Sequence, residues 1–133
     1  AGGAVVSGGV RLTLPWDVLA QVNHRLTSRG RGPGLTLSAD YRAKKHAAEM
    51  LVQAQVRGKR PRFTGPVEMT LRFYEPDRRR RDPSNLLKLV EDAMSGTVYD
   101  DDHRIHRQTW ERAGVDRERP RVEITVEALE RAA

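Results

Sequence analysis

The order of apolar periodicities along this 133-residue chain predicts an α+β domain: a small mixed β-sheet with two main helices packed on one face. Three observations carry this. Residues 67–74 alternate strictly between apolar and polar, the period of a half-buried strand. Two helix starts, at Ser38 and at Asp82-Pro83, open stretches of helical period. The resulting order, strand, helix, strand, helix, strand, strand, matches neither a repeating βα pattern nor an all-β pattern.

Taken in order, residues 1–9 (AGGAVVSGG) lack periodicity and predict a disordered tail or cloning scar ahead of a single domain over residues 10–130. Val10 to Leu14 alternates and predicts a first strand, ended by Pro15. Residues 27–34, with three glycines, a proline and two arginines, have loop composition. Ser38 suits an N-cap, with Asp40 in the first turn of a helix running to about Gln55. Tyr41, Ala48, Leu51 and Val52 form its apolar stripe, with Arg42, Lys44, Lys45 and Glu49 facing outward. Residues 58–65 form a basic connector.

Val67, Met69, Leu71 and Phe73 then make the inner face of the clearest strand. Residues 76–81 are a loop. Asp82 is placed to cap the second helix, with Pro83 at the first helical position, where its missing N–H costs nothing. Leu86, Leu87, Val90 and Met94 supply its buried face, and Ser95-Gly96 ends it. Val98-Tyr99 leads into Asp100-Asp101-Asp102, and two strands follow at Ile105–Arg112 and Arg121–Ala128. No internal repeat is visible.

Composition narrows the function. Without cysteine, neither a disulfide nor a thiolate zinc site can hold the fold. No apolar run approaches the ~18 residues of a membrane span, and no signal-peptide pattern is visible, so a cytoplasmic location is expected. A net charge of +6 and a pI near 10.3 favour a polyanionic partner. The charge is also uneven: Arg78 to Arg81 form one basic run, and Asp100 to Asp102 one acidic run.

Metal-dependent phosphodiester hydrolysis needs clustered carboxylates to hold Mg²⁺, and cations to hold the phosphate without competing for the ion. The segment PDRRRRDPSNLLK carries both types, and YDDDHRI adds acid about 20 residues later. Each part also has a plainer reading. Asp82 is a helix cap, the arginines a solvated turn, the aspartates a charged loop, and Lys88 with Asp92 a surface pair one helical turn apart. His103 and His106 are expected at the surface, since Mg²⁺ prefers oxygen and no zinc set is visible. Trp16 and Trp110 are expected in the core or a dimer contact rather than as base-stacking platforms.

The run Pro76-Asp77-Arg78-Arg79-Arg80-Arg81-Asp82, with Asn85-Leu86, Lys88 and the later Asp101-Asp102-x-x-Ile105, resembles the signature of the RusA-type Holliday junction resolvases. Leu14-Pro15-Trp16 with Asn23 resembles the family's N-terminal motif, and the likeness spans about residues 10–128. The resemblance implies a RusA-like homodimer that cuts four-way DNA junctions in recombination and repair. It implies a bacterial or phage-encoded, nucleoid-associated protein dependent on Mg²⁺, with Mn²⁺ able to substitute.

Residue by residue, the resemblance implies Asp82, Asp102, Lys88 and Asn85 as catalytic residues. It gives Asp82, Asp102 and Asp101 as metal ligands, and Arg78, Arg79, Arg80, Arg81 and Lys88 as DNA contacts. Ser84 departs from the pattern, standing where the family has the second aspartate of its Asp-x-Asp-Asn motif. A neutral hydroxyl is a poorer Mg²⁺ ligand than a carboxylate. Either Asp92, Asp100 or Asp101 replaces it, or the metal site is weakened, or the protein binds branched DNA without cutting it. A basic RNA-binding protein with structural acids is the remaining class. Competition between junctions and RNA separates it from a junction binder, and metal-dependent nicking separates the enzyme from both.

Overall fold

The computed structural model describes residues 9–21, 26–28 and 35–129. The expected tail, apart from Gly9, lies outside the described residues, as do Asn23 and residues 29–34 of the expected loop. Strands β1 (Val10–Pro15), β2 (Leu26–Ser28) and β3 (Leu35–Leu37) precede helix α1 (Ala39–Gln55). Strand β4 (Val67–Glu75), helix α2 (Leu87–Met94) and strands β5 (Ile105–Val115) and β6 (Arg121–Ala128) follow. The main sheet has the order β1-β6-β4-β5, with β4 and β5 parallel and the other pairs antiparallel. The predicted α+β architecture with a mixed sheet is the observed one.

Register explains why one face is buried. Leu12 pairs with Ile124, and Ile124 with Leu71, so the inner residues of three strands align across the sheet. Val67, Met69, Leu71 and Phe73 are fully buried, joined by Leu14, Val122 and Val126. Tyr41, Ala48 and Val52 of α1 and Leu89, Val90, Ala93 and Met94 of α2 cover them. Trp16 and Trp110 meet Phe73 edge-on, at ring centroid separations of 6.3 and 6.0 Å, the packing role expected of them. Gln55 bonds both the N–H and the carbonyl of Thr13, occupying part of the open edge of β1.

Three details differ from expectation. Residues 26–28 and 35–37 pair as a short hairpin where loop composition dominates the sequence; three-residue strands are too short to show a period of two. Strand β5 continues to Val115, past the expected end at Arg112. The second helical segment opens with a 3₁₀ turn over Pro83–Leu86 before α2 begins. Its three residues per turn shift the phase, so Leu89 is fully buried while Leu87 is only half-buried.

Candidate active site

The turn after α2 delivers the acidic triplet to that helix. Gly96 takes a positive φ of 86°, which lets its amide bond the Tyr99 carbonyl at 2.7 Å. The Thr97 and Val98 amides return to the Met94 carbonyl, and the buried Tyr99 hydroxyl donates to the Glu91 carbonyl at 2.7 Å. Val98 and Tyr99 are thus packed beneath α2, and the next three residues emerge beside its polar face.

The three aspartates have different partners. Asp100 is gripped by both Nε and Nη2 of Arg104, at 2.9 and 3.1 Å, which holds its carboxyl below the usual range. Asp101 caps the turn of Asp102–Arg104 by accepting from the His103 amide at 3.0 Å. That bond, then the Asp102 carboxyl and the His103 ring, hold Asp101 down at about 2. Asp102 turns towards α2, where the Lys88 ammonium lies 3.3 Å from Asp102 Oδ2 and 3.1 Å from Asp92 Oδ1. Asp92 first, and Asp102 after it, raise the Lys88 pKa against the opposing effect of burial, so this lysine stays charged across the neutral range.

Lys88, Glu91 and Asp92 share one face of α2, and Glu91 Oε2 accepts from Gln108 of β5 at 2.9 Å. Glu91 was missed in the sequence, although its spacing of three from Lys88 is a usable signal. Burial, then the charges of Glu91, Asp102, Asp92 and Asp101, raise the Tyr99 hydroxyl far above its ordinary value.

Asp82 stands at the other end of the motif. Its Oδ1 accepts the Ser84 amide at 3.1 Å, the cap expected from the sequence, and also the Ser84 hydroxyl at 2.5 Å. The residue that departs from the family pattern therefore spends its hydroxyl on the neighbouring acid. The Asn85 amide bonds the Asp82 carbonyl at 3.1 Å and so belongs to the same turn. Asp82 also borders a cleft of about 200 Å³, with Trp16, Asp40, Lys44 and Arg81 among its walls.

The arginine run divides. Arg78, Arg79 and Arg80 are exposed and make no ion pair among the described residues. Arg81 folds inward, 2.7 Å from Asp77, 3.7 Å from Glu75 and 5.7 Å above the Trp16 ring. Glu75 is 2% exposed and accepts from Arg112 Nε at 2.7 Å, while its Oε1 has no hydrogen bond. A buried acid at the end of an apolar strand face was not singled out in the sequence; its place at an inward position of β4, after Phe73, marks it. The Arg79 amide and Arg81 hold the Asp77 carboxyl below its usual range. His103 and His106 are exposed, as expected.

Among the described residues, no three His, Asp or Glu side chains gather into a set able to hold a metal ion. The chemistry of the acids nonetheless suits a hard cation: Asp92 and Asp102 already converge on one positive charge, and every donor is oxygen. The sequence pattern of the family described as endodeoxyribonuclease RusA matches residues 15–127. The chain belongs to the RusA family. This is a family of endodeoxyribonucleases, hydrolases of the DNA backbone, and the match takes in Asp82, Ser84, Lys88 and the acidic triplet together. Comparison with curated proteins finds no match. No helix among the described residues is long and apolar enough to cross a membrane.

Proposed function

We propose that this RusA-family protein resolves four-way DNA junctions by Mg²⁺-dependent hydrolysis, with Mn²⁺ able to substitute. It does so as a homodimer, in recombination and repair in a bacterial or phage-infected cytoplasm. The observation that carries the reading is the contact of Lys88 with Asp102, 14 residues apart, at 3.3 Å. It joins the two halves of the family signature within the span of the family match.

Asp102 and Asp101, with Asp82, would hold the ion, and Asp92, which shares Lys88 with Asp102, would take the part that Ser84 cannot. Bound there, the ion would supply an activated water and would neutralise charge on the leaving oxygen. Lys88, kept charged by its two carboxylates, meets the scissile phosphate as a point charge. Asn85 orients a ligand or water at the start of the helical turn. Arg78, Arg79 and Arg80 hold the backbone, and Arg81 braces the loop that carries them. A two-fold symmetric junction calls for two sites related by a two-fold axis, hence a C₂ dimer.

The test is cleavage of a labelled four-way junction with Mg²⁺ and with chelator, alongside light scattering. Symmetric metal-dependent nicks from a species of twice the chain mass are expected. Junction binding without nicks at any Mg²⁺ or Mn²⁺ concentration would favour a second reading, a catalytically weakened or inactive branched-DNA-binding module. That reading rests on the Ser84 hydroxyl, which stands in place of a carboxylate and occupies Asp82.

A further inference from the structure

The basic connector between α1 and β4 is not used by the site described above. Arg57, Lys59, Arg60 and Arg62 place four cations in six residues. All four are exposed, and none forms an ion pair among the described residues. The segment itself is held in place. Gly58, at a φ of 91°, turns the chain so that the Arg62 guanidinium passes over it, with Nη1 3.6 Å from where a Cβ would stand. Arg60 is tied to α1 by Nη2, which donates to the Val56 carbonyl at 3.1 Å and to that of Gln53. The backbone is pinned as well. The Arg62 amide bonds the Thr97 carbonyl at 3.2 Å, and the Phe63 amide bonds that of Val98 at 2.8 Å.

Those two bonds fasten the connector to the short segment that carries the acidic triplet, two residues before Asp100. The connector leads into β4, whereas Arg78 to Arg80 follow the end of that strand. The eight steps from Val67 to Glu75, at ~3.3 Å each, put the two ends of β4 that these basic segments flank about 26 Å apart. Along a duplex that distance corresponds to about eight base pairs at ~3.4 Å each. The two segments are therefore set to meet phosphates well separated along a duplex.

We infer that the connector is a second DNA-backbone contact, made by Arg57, Lys59 and Arg62 with phosphates of a junction arm about eight base pairs from those held by Arg78 to Arg80. The inference rests on the junction-binding reading above. Unneutralised cations on a fixed backbone suit phosphate, because binding releases counterions without first breaking a protein ion pair. The contact positions an arm and carries no base specificity.

The experiment compares wild type with Arg57→Ala/Lys59→Ala/Arg62→Ala, leaving Arg60 to bond α1. Binding to a labelled four-way DNA junction is measured in chelator across a KCl series, with hydroxyl-radical footprints of the arms. The log–log salt slope is expected to fall by about 2.7, three contacts at ~0.9 each. The arm protection made by the connector should be lost, while the protection about eight base pairs from it, made by Arg78 to Arg80, remains. The charge-retaining Arg57→Lys/Arg62→Lys variant should keep the wild-type slope, and unchanged thermal midpoints exclude misfolding as the cause. An unchanged slope or an unchanged footprint in the triple alanine variant overturns the connector contact. Wild type that does not prefer the junction to linear duplex overturns the junction reading instead, a result visible before any variant is made.

Discussion

Replacing Ser84 with aspartate tests the site where it departs from its family. In the wild type the Ser84 hydroxyl donates to Asp82 Oδ1 at 2.5 Å, beside the capping bond from the Ser84 amide. Ser84→Asp keeps the amide bond and removes the hydroxyl. The lost bond to an exposed carboxylate is worth about 1 kcal/mol. Two carboxylates ~4 Å apart in water repel by about 1 kcal/mol. The first turn of a helix returns about 0.3–1 kcal/mol to the added negative charge. Without metal the variant should thus be less stable than wild type by about 1–2 kcal/mol.

Mg²⁺ should close that gap. An ion bound only by the folded state stabilises wild type and variant alike, and at saturating metal the tighter binder gains by the ratio of the two Kd values, about 1.4 kcal/mol for a tenfold ratio, comparable to the deficit. The assay is a Mg²⁺ titration followed in two ways, by thermal midpoint and by junction cleavage. The variant should start below wild type and rise more steeply with Mg²⁺. Its half-saturating Mg²⁺ should fall about tenfold, the equivalent of ~1.4 kcal/mol of added ligand strength, and its cleavage rate should increase. A metal response equal to or weaker than that of wild type would refute the reasoning. It would mean that Asp92, Asp101 and Asp102 already complete the ligand set, and that a further acid only crowds it.

Asp82→Asn should preserve the cap, since asparagine caps about as well as aspartate, so unfolding and junction binding should stay near wild type while cleavage is largely lost; Asp102→Asn should behave alike in the same assays. Arg78→Ala/Arg80→Ala should lower the salt slope of junction binding by about 1.8, two contacts at ~0.9 each, and an unchanged slope would return these residues to a solvated turn. Glu75→Gln should cost about 2 kcal/mol in urea unfolding, below the ~3–5 kcal/mol of a fully buried broken pair because Arg112 is half-exposed. The Arg119 amide and then Arg121 hold the Asp116 carboxyl below its ordinary 3.8. Its contribution to stability is therefore present above pH 3.8 and lost as the pH falls through the lower folded value, so Asp116→Asn should flatten the acid limb of the unfolding profile.

The sequence by itself determined the elements that repeat over several turns or residue pairs. Strand β4, with four inward apolar residues at a period of two, and α1, with its Ser38 cap bonding the Tyr41 amide, needed no tertiary context. The same holds for the Asp82-Pro83 start, because a cap is a contact between near neighbours. The candidate residues were legible too, since the acidic and basic runs are contiguous in the chain. How those residues are shared out was decided only by the tertiary structure. Four adjacent arginines look alike in sequence, yet Arg81 lies over Trp16 near a buried Glu75 while its three neighbours face water. Three adjacent aspartates likewise divide among Arg104, the His103 amide and Lys88. Which of them meets Lys88 depends on the turn at Gly96 and the burial of Tyr99, which fold residues 14 positions apart onto one helix face. Neither the 3₁₀ phase shift that buries Leu89 nor the attachment of the basic connector to residues 97 and 98 has a local signal. Long-range hydrogen bonds and packing choose between conformations that local propensity leaves nearly equal in energy, and that choice placed the charges of this site.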